Sequence, residues 1–234
     1  MNFDRIAPFY ELVEVLFAGG MLQKCRTEFL DDLEPPRNVL ILGEGNGRFL
    51  NELLLRFPDS RVTCVDGSSE MIRLAAERLR KNGLGGCSVK FIHQDIAKWE
   101  PAERGFDLLV VHFFLDCFER AEIRSIVEKL KIAAKSNAIL LLSDFQEPAG
   151  FLRGKLSRVL LSCLYRFFGF TAGVRTRRII SPDEILVENG FNEVDRRLSV
   201  FNLLTARKWK QGQPEGEIYR KDVFRGSPDC GASS

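Results

Sequence analysis

The clearest pattern along the chain is an apolar run, Val39 to Leu42, that gives way to glycines at alternate positions, Gly43, Gly45 and Gly47. An amphipathic segment from Arg48 to Phe57 follows at once, so the stretch predicts strand, tight turn and helix. The alternation then repeats. Arg61 to Asp66 predicts a short β-branched strand ending in an acid, and Ser68 to Lys81 a helix with Met71, Leu74, Ala75 and Leu79 on one face and Asn82-Gly83 as its stop. Val89 to Asp95 predicts a third strand, again ending in an acid. Phe106 to His112 is nearly continuous apolar, as in a strand covered on both faces, and a helix over 121–134 leads to a fifth strand over 138–142.

Strands and helices alternating through short turns predict a doubly wound, Rossmann-like α/β fold. Segments 193–200 and 203–208 predict a terminal antiparallel hairpin, which completes a seven-stranded, mostly parallel sheet. Residues 3–33 predict two helices separated at Ala18-Gly19-Gly20, giving an N-terminal cap over 1–34. Residues 148–180 interrupt the rhythm as a helical insertion, with Phe151 to Phe170 apolar on a broad face and basic elsewhere. Ser181-Pro182 starts a further helix, with Ser at the cap and Pro in the first turn, and Asn189-Gly190 ends it. From Gln211 there is little to bury, so 1–210 is expected to form one domain and 211–234 a flexible tail.

Composition narrows the partners. The 234 residues carry a formal net charge of +2, which gives no support for a general nucleic-acid binder. Six cysteines are scattered with no Cys-x-x-Cys pair, as expected of reduced thiols in a cytoplasmic protein. The N-terminus lacks a basic region followed by an apolar run, and no stretch approaches the ~20 apolar residues of a spanning helix, so secretion and stable membrane insertion are not expected. A small-molecule ligand fits this balance, and homodimer formation stays open.

Ligands of such sheets sit outside the carboxyl ends of the strands, where Gly43 to Gly47, Asp66, Asp95, His112 and Asp144 all fall. The spacing is G-x-G-x-G, with Arg48 where a pyrophosphate-binding turn has its third glycine, which disfavours a nicotinamide or flavin oxidoreductase. A Walker lysine is absent as well. Asp66, about 20 residues beyond the glycines, can accept both hydroxyls of a ribose or can cap the helix that follows. Asp95 suits an exocyclic adenine amine or a turn. Met71 suits the underside of an adenine ring or the core.

In these residues the chain resembles the class I S-adenosylmethionine-dependent methyltransferases. Gly43-Glu44-Gly45-Asn46-Gly47 is similar to their cofactor loop, Asp66-Gly67-Ser68-Ser69-Glu70-Met71 to their D-x-S-x-x-M segment, Gln94-Asp95-Ile96 to their adenine-contacting turn, and Phe106 to His112 to their fourth motif. Asn2 to Glu11 also resembles the opening of the quinone-biosynthesis group, which implies a cofactor contact for Tyr10, with hydrophobic packing as the alternative. The resemblance implies S-adenosyl-L-methionine as cofactor and in-line methyl transfer to a small metabolite. One position departs: Ile41 stands two residues before the first glycine, where the family commonly has an acid supporting the cofactor's ammonium. Glu44 is the candidate electrostatic substitute.

His112 and Asp116 are the candidate bases at the cofactor edge; the alternatives are a backbone hydrogen bond for His112 and a cap or ion pair for Asp116. His93 is expected to be structural, within its strand. The aromatic content of the N-terminal helices and the insertion predicts an apolar or aromatic acceptor, with Phe113, Tyr165 and Arg175 as candidate contacts. Arg175, Arg177 and Arg178 could hold an acidic group on it or form a solvated basic run. Two other classes stay open: a catalytically silent cofactor-binding module, and a membrane-surface or partner-binding protein working through the insertion.

Overall fold

A computed structural model describes residues 20–102, 104–146, 180–199 and 204–212. The expectations for Tyr10, Tyr165, Arg175, the first N-terminal helix, the insertion and most of the tail lie outside the described residues.

The apolar runs form the strands of one sheet. Its members are β1 (Asn38–Leu42), β2 (Arg61–Asp66), β3 (Val89–His93), β4 (Phe106–His112), β5 (Ala134–Phe145), β6 (Phe191–Ser199) and β7 (Leu204–Gln211), in the spatial order β3-β2-β1-β4-β5-β7-β6. The first five pair in parallel, and β7 runs antiparallel between β5 and β6. The expected seven-stranded, mostly parallel sheet with an antiparallel hairpin is therefore present. Val39 to Leu42 and Leu108 to Val111 are buried on both faces, which is why these segments read as unbroken apolar runs.

The helices follow from caps and stripes. They are α1 (Met21–Thr27), α2 (Arg48–Arg56), α3 (Ser69–Lys81), α4 (Arg120–Ala133) and α5 (Asp183–Glu188). Ser68 caps α3 by accepting the Met71 amide at 3.2 Å, while Met71, Ala75 and Leu79 at intervals of four face the sheet. A reciprocal capping box of Glu119 and Glu122 starts α4, whose Ile123, Ile126, Val127 and Leu130 join the core. Two buried clusters result, one per sheet face: Leu109, Val111, Leu140 and Leu142 with α4 and α5, and Val39, Ile41, Leu108, Val110 and Leu141 with α1 and α2.

Several boundaries differ from expectation. β3 stops at His93, so Gln94 and Asp95 lie in the following loop and His93 is terminal rather than mid-strand, its Nε2 3.2 Å from the Gly67 carbonyl. β5 begins directly at Ala134, which pairs with Phe106 ahead of a register shift; the exposed polar residues Lys135, Ser136 and Asn137 lie in that irregularity, and no apolar pattern marks them. The second N-terminal helix is the short α1 followed by a 3₁₀ turn, Leu30–Asp32. Pro182 takes the cap position of α5, not its first turn, and Gln211 closes β7 instead of opening the tail.

α1 is fixed by residues distant in sequence. Gln23 Nε2 donates to the Arg48 carbonyl at 3.1 Å, Ser143 Oγ to the Cys25 carbonyl at 3.2 Å and Arg197 Nη1 to the Glu28 carbonyl at 2.9 Å. Arg197 also pairs with Asp32 and stacks over Phe29, 4.5 Å from the ring centroid. Among the described residues no helix is long and apolar enough to cross a membrane.

Candidate functional site

Strand order reverses between β1 and β4, which pair Ile41 with Val110 and Leu42 with Val111. The crevice at this switch opens between the turn after β1 and the residues after β4. Gly43, Gly45 and Gly47 take φ of +67°, +69° and +81°, the left-handed region that side-chain-bearing residues avoid. A Cβ on Gly45 would meet nothing within 4 Å, so this part of the main chain faces open space; one on Gly47 would lie 2.7 Å from the Cα of Ala75.

The turn is held rigidly from below and from the side. Gly43 N donates to the Val65 carbonyl at 2.9 Å, Gly45 N to Asp66 Oδ2 at 3.1 Å, and Arg78 Nε to the carbonyl of buried Asn46 at 2.9 Å. Asp66 also accepts the Ser68 amide on Oδ1 at 2.9 Å. The helix cap is thus Ser68, while Asp66 couples the glycine turn to the Gly67 turn, at the mouth of the crevice. Gly67 is exposed beside it.

Beyond β3, Gln94 N donates to the Asp66 carbonyl at 3.0 Å, which ties this loop to the same edge. Asp95 is exposed and accepts the Ala97 amide at 3.0 Å, forming a turn, while Ile96 and Met71 are buried. Gln94 Nε2 donates to the Lys98 carbonyl at 3.2 Å.

Glu44 turns inward. Its Oε1 accepts the Leu50 amide at 2.8 Å near the start of α2, and burial pushes its carboxyl up to about 7, opposed by that hydrogen bond and by the Arg26 guanidinium. Arg26, Ile41, Gly43, Glu44, Phe49, His112 and Phe113 line a small pocket that is open to solvent. His112 closes β4 on this face, edge-on to Phe49 with ring centroids 4.7 Å apart. Both of its ring nitrogens are buried without a hydrogen-bond partner, so the expected backbone bond is absent. Burial lowers its pKa to about 3, reinforced by Arg26, and the ring is neutral at physiological pH.

Phe113 takes φ of +50°, an uncommon conformation for an aromatic residue. Its ring lies 5.3 Å from the Arg26 guanidinium carbon and 5.1 Å from the Phe145 ring. The next ring, Phe114, covers the glycine turn so closely that a Cβ on Gly43 would sit 2.2 Å from it.

Asp116 belongs to the opposite sheet face. It sits in the 3₁₀ turn Leu115–Cys117, buried, accepting the Cys117 thiol at 3.6 Å. Because α4 is capped by Glu119, Asp116 is not that helix's cap, and no ion pair involves it among the described residues. Burial pushes its carboxyl up to about 6. Asp144, at the end of β5 and nearly inaccessible, is raised further by burial and by the Asp116 charge, against the pull of Arg207. The sequence places His112 and Asp116 four residues apart; the structure sends them to different faces.

These buried acids have a measurable consequence. An acid whose pKa is higher folded than unfolded makes the native state bind more protons than the unfolded chain, so stability falls as pH rises across the interval. The interval runs from about 4, the ordinary carboxylate value, through about 6 for Asp116 and about 7 for Glu44. His112, lowered from about 6.5 to about 3, acts in the opposite direction below about pH 6.5, so the melting temperature is expected to drop between about pH 6.5 and pH 8. Asp116→Asn should raise it at pH 8, by on the order of 2–3 kcal/mol of stability, and flatten part of the profile. A melting temperature that climbs over this range in differential scanning calorimetry would contradict the assignment.

Arg26 was not singled out as a site residue by sequence. Arg26 stands inside a helical apolar stripe next to Cys25, where a basic residue reads as the solvated flank, and only its 8% exposure marks it.

Residues 39–137 match a family model described as a methyltransferase domain. A malonyl-[acyl-carrier protein] O-methyltransferase of Halalkalibacterium halodurans is 30% identical over 150 residues, covering 62% of this chain and 53% of that protein. The chain thus spans about half the length of this relative. A demethylmenaquinone methyltransferase of Thermotoga maritima is 27% identical over 205 residues, covering 81% of this chain and 86% of that protein. Among solved structures, a magnesium protoporphyrin IX methyltransferase of Synechocystis with bound S-adenosylhomocysteine superposes with a TM-score of 0.60 at 20% identity, over 82% of each chain.

Proposed function

We propose that the chain, whose residues 39–137 match a methyltransferase domain, transfers a methyl group from S-adenosylmethionine to a small apolar or aromatic metabolite, which can carry an acidic group. The observation that carries this is the crevice itself: a glycine turn with open main chain at Gly45, an acid at the end of β2 and a polar cavity under the turn, all at the reversal of strand order. A nucleoside sulfonium with an amino-acid tail fits that set of donors and acceptors. When bound, it supplies an electrophilic methyl group.

The chain's residues orient and desolvate. Asp66 receives the ribose hydroxyls, with the Gly43 to Asn46 backbone, Gly67 and the Gln94-Asp95-Ile96 turn around the nucleoside. Met71 lies beneath. The resemblance at Asn2 to Glu11 supports a cofactor contact for Tyr10, and the aromatic content of the chain supports Phe113, Tyr165 and Arg175 as acceptor contacts. Positioning of this kind lowers a barrier by up to ~7–11 kcal/mol, so no obligatory side-chain chemistry is required. Where the acceptor must lose a proton, Asp116 is the better base: its carboxyl titrates near 6, whereas His112, near 3, holds a proton too weakly. His112 serves as a neutral hydrogen-bonding group.

Relatives named for demethylmenaquinone and malonyl-[acyl-carrier protein] support ring-bearing or carboxylate-bearing acceptors. Incubation with methyl-labelled cofactor and a panel of phenols, quinones and fatty acids should label at least one member. Absence of transfer to every member, together with absence of S-adenosylhomocysteine binding, would refute the proposal.

A further inference from the structure

We infer that Arg26 and Glu44 form a charge pair that grips the α-amino-carboxylate end of the methyl donor, in place of the strand acid that Ile41 replaces. The inference rests on the methyl-donor reading above and assigns how this chain holds one end of that molecule.

The amino-carboxylate end carries one positive and one negative group, and each needs a partner when taken out of water. The cavity under the glycine turn offers one of each. Arg26 is the cation, almost wholly buried in the last turn of α1, with its guanidinium over the Phe113 face. Glu44 is the anion, and one of its oxygens accepts the Leu50 amide. Ile41, in the same wall, offers only hydrocarbon. A buried cation and a half-buried acid lining one small pocket at the strand-order reversal match the two opposite charges of a zwitterion.

His112 adds an independent sign of a ligand. It lines the same cavity, nine-tenths buried, with neither ring nitrogen satisfied by protein, which a polar group entering the cavity would remedy. The groups facing Glu44 are Arg26 from α1, Cys64 and Asp66 from β2 and His112 from β4. Burial and the Asp66 charge disfavour its ionised form and an arriving ammonium would favour it, so donor binding draws a proton off Glu44 and weakens as pH falls below its titration.

Calorimetry with two probes separates the ends of the ligand. S-adenosylhomocysteine has the amino-carboxylate end; 5′-methylthioadenosine has the same nucleoside and thioether without it. Arg26→Met should lower affinity for the first at least tenfold and leave the second within twofold. Glu44→Gln, which keeps an oxygen for the Leu50 amide while removing the charge, should do the same and abolish the extra loss of affinity at pH 6. Retained 5′-methylthioadenosine binding shows that the turn is still folded. Equal losses for both probes, or none for either, would overturn the inference while leaving the nucleoside site standing. Failure of the parent chain to bind either probe would instead overturn the methyl-donor reading and the pair's role with it.

Discussion

Gly47→Ala is expected to destabilise the protein by about 2–5 kcal/mol, made up of roughly 1–2 for a side-chain-bearing residue in the left-handed region and about 1–3 for overpacking. The contact sets the size of the effect. The new Cβ would meet the Cα of Ala75 at 2.7 Å and its Cβ at 2.9 Å, so relief requires α2 and α3 to separate, not a side chain to rotate. Gly45→Ala is the control: its φ is equally positive at +69°, but nothing lies within 4 Å of the added carbon, so it should cost only the conformational part. Urea denaturation of the two variants gives the comparison. If Gly47→Ala proves no less stable than Gly45→Ala, the close approach of the two helices is not what the glycine serves.

Asp66→Ala should have the largest effect on the ligand. The substitution removes the acceptor proposed for the ribose, and with it the two backbone bonds, from Gly45 at 3.1 Å and Ser68 at 2.9 Å, that fix the turns on either side. Loss of one charge-assisted hydrogen bond is of the order of 1.5–3 kcal/mol, or roughly 10- to 150-fold in affinity. Unlike Arg26→Met, it should weaken S-adenosylhomocysteine and 5′-methylthioadenosine alike. Wild-type affinity for S-adenosylhomocysteine in titration calorimetry would remove Asp66 from the cofactor site.

The sheet was legible because buried parallel strands leave uninterrupted apolar runs and their helices leave stripes at intervals of three and four. Val39 to Leu42 and Phe106 to His112 show this, and their adjacency follows from the reversal of strand order that such folds share. The start of β5 was not legible: after Ala134 the register with β4 shifts across the exposed residues Lys135, Ser136 and Asn137, so polarity carries no trace of the strand. Asp66 stood out because an acid closing an apolar run is conspicuous. The separation of His112 from Asp116 was hidden, since it depends on Phe113 at φ +50° and the 3₁₀ turn after it, and a few irregular residues decide which face each side chain joins. Arg26 was hidden for a related reason: its burial is imposed by partners up to 169 positions away from its own helix, through Arg197 and Glu28, and no local window contains them.

That long tie bears on how the protein is made. α1 leaves the ribosome well before Ser143 and Arg197, which anchor it across 118 and 169 positions. A nascent chain that has just completed β4 already contains the glycine turn and Asp66, but of the three side-chain ties of the helix carrying Arg26 only Gln23 to the Arg48 carbonyl can yet form. Its fastening is completed only when Arg197 arrives, so a chain truncated before β6 would keep the nucleotide edge of the sheet and lose the Arg197 anchor of the opposite wall.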